Sequence, residues 1–184
     1  MIRALLAIAD GNEDIETVTL IDVLRRASIE VLVTSIEARR QVTLARGTRV
    51  MSDVTLLEVQ AMRFDLIVLP GGMPGAQRLA DCAALRNFMR RHVEEGRLYG
   101  AICAAPVITL QPWGLLDGKR MTCYPSFIEQ LERCQYVDES VVVDGRCVTS
   151  QGPATAQAFA LELVYQLLGK EQRDSVAEAL LVPF

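Results

Sequence analysis

The sequence predicts a single α/β domain built on a mainly parallel sheet, and three patterns carry that prediction. The chain opens strand–helix–strand, with apolar runs from Ile2 to Ala9 and from Ile29 to Ile36 on either side of a helix-period segment. Such a unit closes as two parallel strands joined by a right-handed crossover. Two more dense apolar strands follow, Phe64 to Leu69 and Leu98 to Ile102, and each ends at a sharp change of residue type. No linker, repeat or low-complexity tract divides the 184 residues, so 1–184 reads as one domain.

Each element has its own signal. Glu13 and Asp14 suit a helix N-terminus, Ile15, Val18, Ile21 and Leu24 recur at helical spacing, and Arg25 and Arg26 suit the C-terminal end. Val42 to Arg46 and Thr48 to Met51 read as short strands of a hairpin around Gly47. The Phe64 strand stops at Pro70-Gly71-Gly72. Leu79, then Leu85, Phe88, Met89 and Val93, mark helical material that ends at Gly96. After Ile102 comes Cys103, and Ala104 opens a helical segment that tolerates Pro106 in its first turn. Met121 to Cys123 reads as a short strand and Ser126 to Arg133 as a helix. Val141 to Val143 and Cys147 to Ser150 flank Asp144-Gly145, a hairpin turn. Gly152-Pro153 starts a long helix with the stripe Phe159, Ala160, Leu163, Val164, Leu167 and Leu168, capped by Gly169. A last helix runs from about Gln172 to Leu181.

Composition narrows the function. The net charge is −4 with no basic run, which argues against nucleic acid as a partner, since phosphates need a clustered positive face. The N-terminal apolar run is too short for a signal peptide, and no run reaches membrane-spanning length. Five cysteines, an odd number without a CxxC pair, fit free thiols in a reducing cytoplasm. With His92 the only histidine and no cysteine pair at ligand spacing, neither a metal nor another cofactor is expected.

Three loops are placed to converge beyond the carboxyl ends of parallel strands, where open α/β sheets form their sites. They are Gly11 to Glu16, Pro70 to Gly75, and the turn at Cys103. A cysteine on a strand-to-helix turn faces the positive end of a helix dipole, which favours the reactive thiolate. A small buried core thiol is the alternative reading of Cys103. Backbone N–H groups of Gly72 and Ala104 suit an oxyanion hole, although a plain glycine turn explains the first equally. Glu16 beside a thiolate would stay protonated and donate a hydrogen bond to sulfur, the pair titrating as a unit. Otherwise it is an ordinary acid in a helix's first turn. Buried or incidental thiol is the default for Cys82, Cys123, Cys134 and Cys147, with Cys123 the one candidate for a second reactive thiol.

The motifs G-N-E-D-I-E-T-V, V-L-P-G-G-M-P-G-A, A-I-C-A-A-P and T-S-Q-G-P-A-T, in this order and spacing, resemble the ThiJ/PfpI family. Within it they look most like the branch of the parkinsonism-associated deglycase and bacterial YajL-like proteins. The resemblance spans nearly the whole chain. It implies a flavodoxin-like three-layer sandwich of the class I glutamine amidotransferase-like kind, usually a homodimer. It implies Cys103 as nucleophile, Glu16 as its protonated partner, and Gly72 and Ala104 as backbone donors. It further implies a glutathione-independent glyoxalase or deglycase, acting on small dicarbonyls such as methylglyoxal or on glycated substrates. The alternative is an oxidative-stress sensor and chaperone whose Cys103 oxidises to sulfinate. Tyr124, Gly71, Gly152 and Pro153 fall at the pocket rim. Arg25, Arg26 and Arg46 fall at a dimer face or site edge, or are simply solvated. Where many relatives carry a histidine this chain has Tyr124, so no Cys-His dyad is available and a protease is not expected.

Overall fold

The computed structural model describes residues 1–182; Pro183 and Phe184, the end of the expected domain, lie outside it. In chain order the elements are β1 (Arg3–Ile8), α1 (Asp14–Arg26), β2 (Glu30–Ser35), β3 (Gln41–Thr43), β4 (Arg49–Met51), β5 (Val54–Thr55) and α2 (Leu56–Val59). Then come β6 (Leu66–Leu69), α3 (Gly75–Asp81), α4 (Ala83–Glu94), β7 (Leu98–Ile102) and β8 (Arg120–Met121). The chain closes with β9 (Gln135–Tyr136), β10 (Val141–Asp144), β11 (Cys147–Ser150), α5 (Ala156–Leu168) and α6 (Lys170–Ala179).

Seven strands form the central sheet in the order β10-β11-β7-β6-β1-β2-β5. Every pair is parallel except the β10–β11 hairpin. Ala4 to Ile8, Leu66 to Leu69, and Leu98 to Ile102 are buried along their length. Those strands are apolar without alternation because helices cover both faces, as a parallel sheet requires. Helix α5 packs on α1 and α6, while α3 packs on the segment after β7 and on α4. The result is a flavodoxin-like three-layer sandwich. The strands β3 and β4 pair antiparallel outside the main sheet, as the Gly47 hairpin predicts.

Several elements differ from the sequence reading. Helix α1 turns Glu16, Thr17, Leu20, Val23 and Leu24 inward. Ile15 and Val18 are left 57% and 48% exposed, so the apolar spacing does not mark the inner face. After Cys103 the chain forms a π-helical turn, Pro106–Leu110, then a 3-10 turn, Gln111–Trp113, instead of an α-helix. The bond that defines the first runs five residues, from the Gln111 N–H to the Pro106 carbonyl. Pro106 sits in the first turn, where no N–H is needed, but Pro112 removes an N–H that a continuing α-helix would use. The helical stretch ending near Gly96 is two helices, broken where Cys82 is extended. Residues Pro125–Gln130 form a 3-10 helix rather than an α-helix over Ser126 to Arg133. The strand expected at Met121 to Cys123 is Arg120–Met121, paired with β9.

Candidate active site

The three loops do meet. Asn12, fully buried, donates through Nδ2 to the carbonyls of Pro70 (3.2 Å) and Gly71 (2.8 Å) and accepts the Ala9 N–H at 2.6 Å. The Glu13 N–H donates to the Gly71 carbonyl at 3.0 Å. These bonds tie the end of β1 to the loop after β6. Asn12 was not singled out from the sequence. Its signal was an Asn directly after a strand-ending glycine, a residue that bonds back to nearby backbone.

Glycine is required where the loops touch. A Cβ on Gly71 would lie 2.6 Å from the Cys103 Cβ and 2.9 Å from the Ala104 nitrogen. At Gly72, φ is +81° and a Cβ would lie 2.4 Å from the Glu13 nitrogen. The absence of side chains lets Gly71 close on the cysteine turn and Gly72 on the loop after β1.

Cys103 leaves β7 with φ 65°, in the left-handed region that non-glycine residues avoid. Its N–H donates to the Ser150 carbonyl and its own carbonyl accepts the Tyr124 N–H, both at 2.9 Å. The residue is only 8% exposed, so the sulfur is a recessed group. The backbone N–H groups of Gly72 and Ala104 lie close enough to favour negative charge on it.

Glu16 is held in the first turn of α1, where the Glu13 side chain caps its N–H at 2.8 Å. Its Oε2 accepts the Gly71 N–H at 2.8 Å. The carboxyl faces the Cys103 sulfur, and the buried Oε1 has no nitrogen or oxygen partner among the described residues. Burial pushes the Glu16 carboxyl up to about 7, against the Gly71 N–H. Burial first, then the Glu16 charge, pushes the Cys103 thiol up to about 12, while the N–H groups of Gly72 and Ala104 pull it down. Between those two values the pair holds one proton, and which atom carries it is a property of the pair.

The other expected residues divide by place. Tyr124, Gly152 and Pro153 line one cavity of about 200 Å³. Gly71 is not on that rim but beneath the cysteine turn. Arg25 and Arg26 stand about 14 Å along α1 from Glu16 at 1.5 Å per residue, and they bond Asp53 and Asp22 there. Arg46 sits on the β3–β4 loop, whose backbone N–H donates to Asp14 at 2.8 Å. Cys123 is fully buried, and burial pushes its thiol up to about 11. His92 is buried and hydrogen-bonds the Leu98 carbonyl at 2.7 Å through Nε2.

Residues 2–166 match the model of the DJ-1/PfpI family. The chain belongs to that family. Among DJ-1/PfpI relatives, Protein DJ-1 homolog B of Arabidopsis thaliana is 42% identical over 98% of this chain, which spans only 41% of that longer protein. The glutathione-independent glyoxalase DJR-1.2 of Caenorhabditis elegans is 36% identical, with 93% of this chain and 91% of the relative covered. The structure titled "Toxoplasma gondii DJ-1, oxidized" superposes with a TM-score of 0.98 at 40% identity, all of both chains covered. These DJ-1 likenesses bear out the family resemblance and the sandwich fold.

Proposed function

We propose that this chain is a cysteine-dependent, cofactor-free glyoxalase or deglycase for methylglyoxal-type dicarbonyls or early glycation adducts, in a stress-response role. The observation that carries the reading is one buried site where the Cys103 sulfur, two backbone N–H donors and the otherwise unpartnered Glu16 oxygen converge. The glyoxalase named among the relatives supports the reaction class.

The chemistry follows from a single shared proton. The reading needs that proton on Glu16 and the charge on sulfur, a form toward which the Gly72 and Ala104 N–H groups pull and against which burial and the Glu16 charge act. The sulfur adds to the aldehyde carbon, and the new alkoxide takes the Glu16 proton to give a hemithioacetal. The Glu16 carboxylate then removes the proton from that carbon and returns it to the neighbouring ketone carbon, while the hydroxyl proton of the first carbon passes to the ketone oxygen. The first carbon is thereby oxidised and the second reduced, leaving a 2-hydroxyacyl thioester. Water hydrolyses it to the hydroxy acid and frees the sulfur. The internal redox balance requires no external electron carrier or metal. With a glycated amine, the sulfur replaces nitrogen at the hemiaminal carbon, the amine leaves with a proton from Glu16, and the same hemithioacetal then isomerises.

Lactate formation from methylglyoxal without glutathione tests this. Cys103→Ala abolishes it. Glu16→Gln lowers kcat by ~10²–10⁴-fold, the usual worth of a positioned acid–base. Turnover retained in Cys103→Ala sinks the reading.

A second reading, a redox sensor with chaperone function, is favoured by the oxidised state named for the Toxoplasma relative. Two equivalents of peroxide would convert the thiolate to sulfinate, whose oxygens the same N–H groups and the Glu16 proton suit. Graded peroxide separates the cases: a gain of two oxygens on Cys103 with negligible dicarbonyl turnover favours the sensor.

We also propose a homodimer through the outer face of α1. Ile15 and Val18 are exposed there, and Met51 on β4 is 66% exposed beside a hairpin that Asp14 ties to α1. Arg46 lies on that same face. The five unpaired cysteines fit a cytoplasmic setting. Among the described residues no helix is long and apolar enough to cross a membrane.

A further inference from the structure

Beside the cysteine turn lies a cavity of about 200 Å³ lined by Tyr124, Pro125 and the run 151–155. Its walls are mostly apolar, an aromatic ring, two prolyl rings, an alanine methyl and a bare glycine, with Gln151 and Thr155 the polar members. One wall is fixed to the nucleophile's own residue, because the Tyr124 N–H donates to the Cys103 carbonyl at 2.9 Å. The Tyr124 ring is braced edge-on against Phe127, with centroids 6.5 Å apart at 63°. The opposite wall is equally fixed. The Thr155 hydroxyl accepts the Gly152 N–H at 3.0 Å and meets the Ser150 hydroxyl at 2.6 Å, and Ser150 donates on to the Ser140 carbonyl at 2.6 Å. Gly152 keeps the space open, since a Cβ there would sit 3.2 Å from the Tyr124 ring.

The size and lining match the reacting dicarbonyl's substituent. A preformed apolar cavity of about 150 Å³ is large enough to take up benzene. A methyl group would leave most of this one empty, whereas a phenyl or branched alkyl group would fill it. We infer that the cavity receives the carbon substituent of a 2-oxoaldehyde, so that arylglyoxals and branched glyoxals are turned over in preference to methylglyoxal, with Tyr124 and Gly152 setting that preference. The inference rests on the thiol–carboxyl chemistry proposed above. An arylglyoxal and water give the 2-hydroxy-2-aryl acid: the aldehyde carbon is oxidised to carboxylate, the ketone carbon reduced to carbinol, with no other reactant.

Two measurements on the full chain test it. The first is kcat/KM for phenylglyoxal against methylglyoxal. The second is the rate of Cys103 alkylation by 2-bromoacetophenone against bromoacetone, each divided by its rate with free N-acetylcysteine. An apolar group added in a fitting pocket is worth about 10–200-fold, so both ratios favour the phenyl compound by at least ~10-fold in the natural sequence. Gly152→Val, which fills the cavity, and Tyr124→Ala, which removes a wall at a 44% exposed position, each bring both ratios to near one. Turnover of both glyoxals with no phenyl preference, or a preference unchanged in both variants, overturns the inference and leaves the enzymatic reading intact. A phenyl preference in alkylation with neither glyoxal turned over supports the cavity's role and overturns the enzymatic reading instead.

Discussion

At Glu16 the surroundings oppose the charge that an isolated glutamate carries at neutral pH. Its carboxyl rises from 4.5 to about 7 because burial removes water. The folded state therefore holds this proton more tightly than the unfolded one. The resulting stability is complete below about 4.5 and is lost as pH rises through about 7. At 1.36 kcal/mol per unit the loss is roughly 3 kcal/mol. His92 works in the other direction. Burial lowers it from 6.5, so its contribution is present above that value and fades as pH falls. Glu16→Gln removes the first slope and uncovers the second. Urea unfolding at pH 5 and pH 8 is expected to show that variant gaining stability toward pH 8, relative to the natural chain, by about 3 kcal/mol. Equal pH slopes in the two proteins contradict the raised carboxyl. The pairing was legible only through the family resemblance, because an acid in a helix's first turn by itself suits the helix terminus. The recessed position of the sulfur was not. Burial depends on Gly71 closing on the cysteine turn, and that contact lies between distant parts of the chain.

Elements were legible where period and composition agreed. The apolar runs that became β1, β6 and β7 have no polar residue inside the paired strand except Arg3, at the start of β1, and Tyr99, and Asp144-Gly145 marks the β10–β11 turn. The reading failed where a local rule met a competing one. The helix expected after Cys103 has proline at two positions, and its bonds lengthen to the five-residue spacing. In α1 the periodic Ile15 and Val18 point outward because Glu16, Thr17 and Leu20 occupy the inner face. The two-residue strands β5, β8 and β9 are too short to carry a period at all. One residue holds two of the site's elements together: Asn12 joins the end of β1 to the loop between β6 and α3. Asn12→Ala leaves the buried Ala9 N–H and the Pro70 carbonyl without the Asn12 partner, while the Gly71 carbonyl keeps the Glu13 N–H, at about 1–3 kcal/mol for each unsatisfied group. A loss near 3 kcal/mol lowers Tm by about 6–12 °C in a chain of this size. Calorimetry is expected to show that drop, and a change under 2 °C would remove Asn12 from its positioning role.

The whole molecule places its chemistry at one end of the sheet and its unpaired apolar surface on α1 alongside. Val18→Arg puts a charge in the middle of the proposed subunit face, where it would be buried without a partner. Sedimentation at micromolar concentration is expected to show a dimer for the natural chain and a monomer for the variant; a monomer for both removes that face as an interface. The left-handed backbone of Cys103 has a consequence at this scale too. Glycine adopts φ 65° freely, whereas a residue with a Cβ gives up about 1 kcal/mol to do so. Cys103→Gly should thus melt higher than Cys103→Ala, although both lack the sulfur. The inert chain could relax at the very hinge where the working one stays wound, and the tension is the mark of a residue kept for its reactivity against the preference of the fold that carries it.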